Sequence, residues 1–72
     1  MLKSKTNREE IAKYAIESLK LGIEIDSKVR IENALSLINN DKEFSWIDLD
    51  HLYSEWFSLL NKADDILLEN YM

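Results

Sequence analysis

Apolar residues recur along the chain at intervals of three and four, the spacing of an amphipathic helix. In the first segment, the positions on one helical face are Ile11, Ala12, Ala15, Ile16, Leu19 and Ile23. A Thr-Asn-Arg-Glu run beginning at Thr6 has the form of a capping box, and Gly22 lies where a left-handed glycine commonly ends a helix. The pattern predicts a first helix over residues 7–21.

Two later segments show the same spacing. Asp26 and Ser27 are both suitable caps for a second helix, whose inward face would be Ile31, Ala34, Leu35 and Ile38. Ser45 and Asp48 repeat the capping pattern before a third face, formed by Leu49, Leu52, Tyr53, Trp56, Leu60, Ala63 and Leu67. We therefore expect helices over about 27–39 and 46–70, separated by turn-forming residues at 39–41.

One glycine and no proline leave few positions for sharp turns. The sequence predicts a single all-α domain spanning residues 1–72, a small antiparallel three-helix bundle with a long C-terminal third helix. No stretch approaches the roughly 18 apolar residues of a membrane span, and the first residues lack the apolar run of a signal peptide. We expect a cytoplasmic protein, and the abundance of Ile, Asn and Lys hints at a bacterial or phage source.

Charge is distributed unevenly along the chain. The net charge is −5, with seven basic and six acidic side chains in residues 1–40, but two basic and eight acidic side chains in residues 41–72. The C-terminal part therefore carries −6, against +1 for the rest. This asymmetry predicts a partner with a basic surface.

The residues that could carry chemistry form no complete site. Asp48, His51 and Glu55 share one helical face, but bundle metal sites need several carboxylates and a second histidine, and the chain has one histidine and no cysteine. Ser54 and Ser58 lie near His51 without an orienting acid or an oxyanion hole. We predict no catalytic, cofactor-binding or metal-ligating residue, and we do not expect an enzyme.

Aromatic side chains are concentrated in the acidic part. Six of the seven follow residue 43: Phe44, Trp46, Tyr53, Trp56, Phe57 and Tyr71. We assign Tyr53 and Trp56, with Leu60 and Leu67, to the core, but the apolar arc of the third helix is wider than a bundle of this size needs. The predicted partner-binding strip on its two flanks is Trp46, Asp50, Phe57, Leu59, Asp64, Asp65, Ile66 and Leu68.

Two hypotheses of function follow. The first is a protein-interaction module, such as an inhibitor, immunity protein, antitoxin or phage accessory protein, that binds a basic surface of its target. The alternative is a homodimeric structural protein, in which two third helices pack against each other. A DNA-binding helix-turn-helix regulator is disfavoured, because acidic neighbours dilute the basic residues Lys3, Lys5, Arg8, Lys28 and Arg30.

Overall fold

The computed structural model describes residues 3–71, and the side chains of residues 3–68. It contains three helices, α1 (Lys5–Glu24), α2 (Lys28–Asn39) and α3 (Asp50–Tyr71), and residues 3–71 include no β-strand. Helix α1 is the central element, because it packs against both α2 and α3, whereas α2 and α3 contact each other much less. The predicted all-α three-helix bundle is confirmed.

Helix α1 begins earlier than predicted. Ser4, rather than Thr6, is its N-cap, and the Ser4 hydroxyl accepts a hydrogen bond from the backbone N–H of Asn7 at 3.3 Å. The Arg8 N–H donates to the Ser4 carbonyl at 2.9 Å, which is the first helical hydrogen bond. The capping box predicted at Thr6 is therefore wrong, since the helix already starts two residues upstream, where Ser4 satisfies one free amide of the first turn.

Gly22 lies inside α1 and does not end it. The helix continues to Glu24, and the left-handed residue in the turn is Asp26, with φ 56°. A Cβ atom on Gly22 would lie 3.0 Å from both Cγ1 and the backbone nitrogen of Ile31, near the start of α2. The glycine thus permits close approach of an antiparallel helix, which is why the predicted capping role is wrong.

The start of α2 agrees with one of the two predicted caps. Ser27 is the N-cap, and its hydroxyl accepts from the N–H of Arg30 at 3.3 Å. Its own N–H donates to the carbonyl of Gly22 at 2.8 Å, which ties the cap to the last turn of α1. The helix ends at Asn39 with Asn40 as its C-cap, so the predicted turn at 39–41 is confirmed.

The predicted start of the third helix at residue 46 is wrong, and a third helix much longer than the others is not supported. Ser45 uses its hydroxyl within the preceding loop, where it accepts from the N–H of Ile47 at 3.2 Å, and Asp48 has a left-handed φ of 65°. Helical hydrogen bonding starts at the carbonyl of Leu49, which accepts from Tyr53 at 2.9 Å. Beginning at Asp50, α3 has 22 residues against 20 in α1, so the two are of similar length.

The core is formed by alanine, isoleucine and leucine side chains of α1 and α2 and by one face of α3. Its buried cluster consists of Ala15, Ile16, Leu19, Ile31, Ala34, Trp56, Leu59 and Ala63. Trp56 is buried as predicted, but Tyr53 is 43% exposed, and Leu59 takes the interior position with 8% exposed. Leu60 and Leu67 pack at the edge of the cluster and are partly buried. The inward face of α3 is therefore rotated from the predicted stripe.

Candidate protein-interaction surface

Arg8 is a buried charged residue that fixes the loop before α3. It is 6% exposed, its Nε donates to the carbonyl of Lys3 at 3.0 Å, and its Nη1 donates to the carbonyls of Ser45 at 3.0 Å and Ile47 at 2.7 Å. The assignment of Arg8 to a basic surface is therefore wrong, because its guanidinium is used inside the protein. Its spacing was a signal of burial, because Arg8 lies four residues before Ala12 and seven before Ala15, on the inward face of α1.

The loop held by Arg8 carries an aromatic residue that connects the core to the surface. Trp46 is half-buried, and its ring centroid lies 5.8 Å from that of buried Trp56 and 5.4 Å from that of Tyr53. Phe44 packs edge-on against Trp46 at 4.9 Å, and Tyr53 is followed by Phe57 at 6.2 Å. These distances and angles suit favourable ring packing. The series ends at Phe57, which is 53% exposed.

One face of α3 combines exposed apolar and acidic side chains. We define the α3 stripe as Asp50, Tyr53, Phe57, Asp64 and Leu68. At about 100° of rotation per residue, these positions fall within about 60° of one another around the helix. Tyr53 is 43%, Phe57 53% and Leu68 61% exposed, and both aspartates are exposed. The stripe contains four of the residues predicted to bind a partner, together with Tyr53.

The other predicted strip residues occupy different environments. Leu59 belongs to the buried core, so its assignment to an exposed flank is wrong. Trp46 and Ile66 are partly buried and pack against that core. Asp65 is exposed but lies about 100° around the helix from Asp64, outside the stripe. The flank formed by Leu59 and Ile66, predicted to bind a partner, thus faces the neighbouring helices. The inward face of α3 lies closer to these two residues than the predicted stripe does.

A second surface with exposed apolar side chains, interspersed with polar ones, lies between α1 and α2. The α1–α2 groove is a shallow cleft of about 220 Å³ lined by Tyr14, Ser18, Leu21, Arg30, Asn33, Ala34 and Leu37. Tyr14 is 65%, Leu21 42% and Leu37 38% exposed. The positions of Tyr14 and Leu21, to one side of the apolar stripe of α1, were a signal in the sequence for this surface, but the contribution of α2 was missed.

Ion pairs account for several of the basic side chains of the N-terminal part. Lys13 lies 3.4 Å from Glu9 and Lys28 lies 3.9 Å from Glu32, both one helical turn apart. Lys3 bonds to Asp41, and this hydrogen bond from the ammonium group lowers the pKa of the Asp41 carboxyl below its ordinary value of 3.8. Arg30 differs from these residues in position, because it lines the α1–α2 groove.

Asp48, His51 and Glu55 are exposed on the loop and on the solvent side of α3. Within the side chains that the structure describes, no group of three or more His, Cys, Asp or Glu residues could hold a metal ion. Across residues 3–71, none of the helices has the length and apolar character needed to cross a membrane. The side chains of Glu69 and Tyr71, which the sequence placed near the acidic aromatic surface, lie outside the described ones.

No protein-family model matches the chain, and comparisons with curated proteins and with solved structures gave no match. The functional argument therefore rests on the α3 stripe and the α1–α2 groove.

Proposed function

We propose that this protein is a small acidic interaction module whose α3 stripe binds a basic surface of another protein. The observation that supports the proposal is the presence of Tyr53, Phe57 and Leu68, each 43–61% exposed, on the same helical face as exposed Asp50 and Asp64. Exposed apolar groups bordered by charge are typical of protein-binding surfaces.

Apolar burial would supply most of the affinity of such a surface. Removing apolar area from water contributes about 25 cal/mol per Å², and aromatic side chains near the centre of an interface commonly dominate binding. Phe57 is central in the stripe, with Tyr53 one turn before it and Asp64 two turns after it. We therefore place Phe57 at the centre of the contact and the two aspartates at its edge.

Charge would select the partner and speed the encounter. Residues 41–72 carry −6, so a basic protein surface is attracted over several ångströms while an acidic one is repelled. Inhibitors, immunity proteins, antitoxins and phage accessory factors that cover a basic site are the classes in which we place the protein. We propose that the protein acts in the cytoplasm, and we propose no catalytic role.

Self-association is the second candidate function. It is favoured by the α1–α2 groove, because a domain with two exposed apolar surfaces can use one of them to bind the other. A chain of this size also gains much stability from added burial.

The proposal is tested by capture from a lysate of the source cells on immobilised wild-type protein and three variants. Phe57→Glu removes the central aromatic group, Asp50→Lys with Asp64→Lys reverses the charge of the stripe, and Leu37→Glu is the matched control in the groove. We expect wild type and Leu37→Glu to retain the same protein, which both stripe variants lose. Because the attraction is electrostatic, that protein should be basic and should elute earlier at high salt.

Equal capture by wild type and Phe57→Glu, or an acidic captured protein other than a further copy of this chain, would overturn the assignment of the stripe. Circular dichroism of each variant shows that the helices are intact before capture is compared.

A further inference from the structure

The α1–α2 groove has chemistry suited to contact with another helix. Its lining includes the exposed apolar side chains of Tyr14, Leu21 and Leu37. Ile25 and Val29, which flank the turn between the two helices in the sequence, are 51% and 65% exposed. Arg30 provides a positive charge within the lining. A groove between two helices that combines exposed apolar side chains with polar ones and one cation fits an amphipathic helix that presents apolar residues and an acid on the same face.

The α3 stripe presents that combination at a matching spacing. Leu37 and Arg30 are seven residues apart on α2, and Phe57 and Asp64 are seven residues apart on α3. Seven residues are about two helical turns, or about 10 Å along the axis, in both cases. A helix lying antiparallel to α2 in the groove would therefore place Phe57 against Leu37 and Asp64 against Arg30 at the same time.

We propose that the α3 stripe of one copy of this chain docks into the α1–α2 groove of a second copy. This inference rests on the proposed function, because it takes the stripe to be a protein-binding surface. It adds that one partner of the stripe is a second copy of the chain. Because stripe and groove are different surfaces, the contact is heterologous. Each added copy leaves one groove and one stripe open, so the assembly grows beyond a dimer.

Charge complementarity within the contact opposes the repulsion between two chains of −5 each. Arg30 meets an acidic side chain close to apolar groups that exclude water, where the attraction is stronger than at a free surface. The repulsion acts over longer distances and is screened at physiological ionic strength, where the Debye length is about 8 Å. The association is therefore measured at that ionic strength.

The first test is complementation between two variants in a sedimentation velocity experiment. Phe57→Glu leaves the groove intact, and Leu37→Glu leaves the stripe intact. Wild type should form species larger than a dimer as its concentration rises. Each variant alone should be a monomer, and an equimolar mixture should form a 1:1 dimer that grows no further.

The second test exchanges charges on exposed side chains and does not depend on changes to apolar residues. Arg30→Asp and Asp64→Arg should each lower the association constant by about tenfold, as expected for loss of one charge pair in an interface. Combining both in one chain, or mixing the two single variants, should restore association. Lys20→Asp and Asp65→Arg are matched controls outside the two surfaces and should have little effect.

Two results would overturn the proposal. In the first, the mixture of Phe57→Glu and Leu37→Glu stays monomeric although both variants are helical. In the second, Leu37→Glu alone still dimerises, which would show a two-fold contact between α3 helices. Either result leaves the binding of a basic partner open to its own test, because the Leu37→Glu chain retains the stripe for the capture experiment.

Discussion

The Nη1 atom of Arg8 lies 2.7 Å from the carbonyl oxygen of Ile47, so the first part of α1 holds the loop that precedes α3. The same nitrogen donates to Ser45, two residues earlier, at 3.0 Å. Trp46 lies between these two acceptors in the sequence, and its ring is thereby kept within reach of buried Trp56. A charged residue of α1 thus positions the aromatic side chain that joins the core to the α3 stripe.

Arg8→Ala should lower the free energy of unfolding by about 2–4 kcal/mol, because it leaves carbonyl groups of the loop and of Lys3 without their donor. Arg30→Ala, at an exposed arginine, should change it by less than about 0.5 kcal/mol. Urea unfolding followed by circular dichroism measures both. Equal stability of the two variants would contradict the structural role of Arg8.

Leu59→Asp should lower the free energy of unfolding much more than Phe57→Asp, although the two residues are only two positions apart. Leu59 is 8% exposed in the core, and burying an unpaired carboxylate in place of an apolar side chain should cost about 3–5 kcal/mol, which unfolds much of a small domain. Phe57 is 53% exposed, so its replacement should cost only about 1 kcal/mol. Thermal unfolding followed by circular dichroism distinguishes the two variants. A cooperative, stable Leu59→Asp variant would place Leu59 at the surface instead.

Gly22→Ala should destabilise the protein even though alanine favours helices by about 1 kcal/mol over glycine. The added methyl group would lie 3.0 Å from the backbone nitrogen of Ile31, which cannot move without shifting α2. Overpacking typically costs about 1–3 kcal/mol, so we expect a net loss of about 1 kcal/mol. Ser58→Ala, at an exposed position of α3, is the control and should raise stability slightly. An increase for Gly22→Ala as well would show that α2 is not held closely at this point.

The pair between Lys3 and Asp41 should make stability depend on acid pH. The hydrogen bond from Lys3 lowers the pKa of Asp41 in the folded protein below 3.8, so the unfolded chain takes up the proton first as pH falls. The stabilisation is therefore fully present above the ordinary pKa and is lost as pH falls through the lowered value. Melting temperatures of wild type and Asp41→Asn should differ at neutral pH and converge in acid.

Lys3→Met removes the largest cause of the lowered pKa and should reproduce most of the behaviour of Asp41→Asn. A difference in melting temperature that stays constant from neutral pH into acid would contradict the assignment.

The helices and their number were predictable because they depend on local pattern. Ser27 was identified as a cap from its position before an amphipathic stripe, and it acts as one. Ser45 has the same local signature, but Arg8 draws the carbonyls around it into the loop, and Asp48 adopts a left-handed conformation. The sequence contains no local sign of that long-range contact, so the start of α3 was predicted too early.

The α3 stripe was only partly predictable from the sequence, because the inward face of α3 depends on packing against another helix. The apolar arc of α3 is wide enough to accommodate two choices of inward face, one with Tyr53 inside and one with Leu59 inside. Packing against α1 selects the second, which moves Tyr53 to the surface beside Phe57. Phe57 and Leu68 were identified correctly as exposed, because they lie on the outer side in both choices.

The acceptors of Arg8 also bear on how the chain is made. A nascent chain that has not yet added residue 47 lacks the Ile47 carbonyl, so the start of α1 cannot reach its final environment while the ribosome is still completing α2. Domains can fold as they are synthesised, but here the hairpin of α1 and α2 must wait for the loop beyond it before the guanidinium of Arg8 has all its hydrogen-bond acceptors. Completion of the N-terminal helix is therefore a late event in biosynthesis, set by residues that arrive after most of the chain has been made.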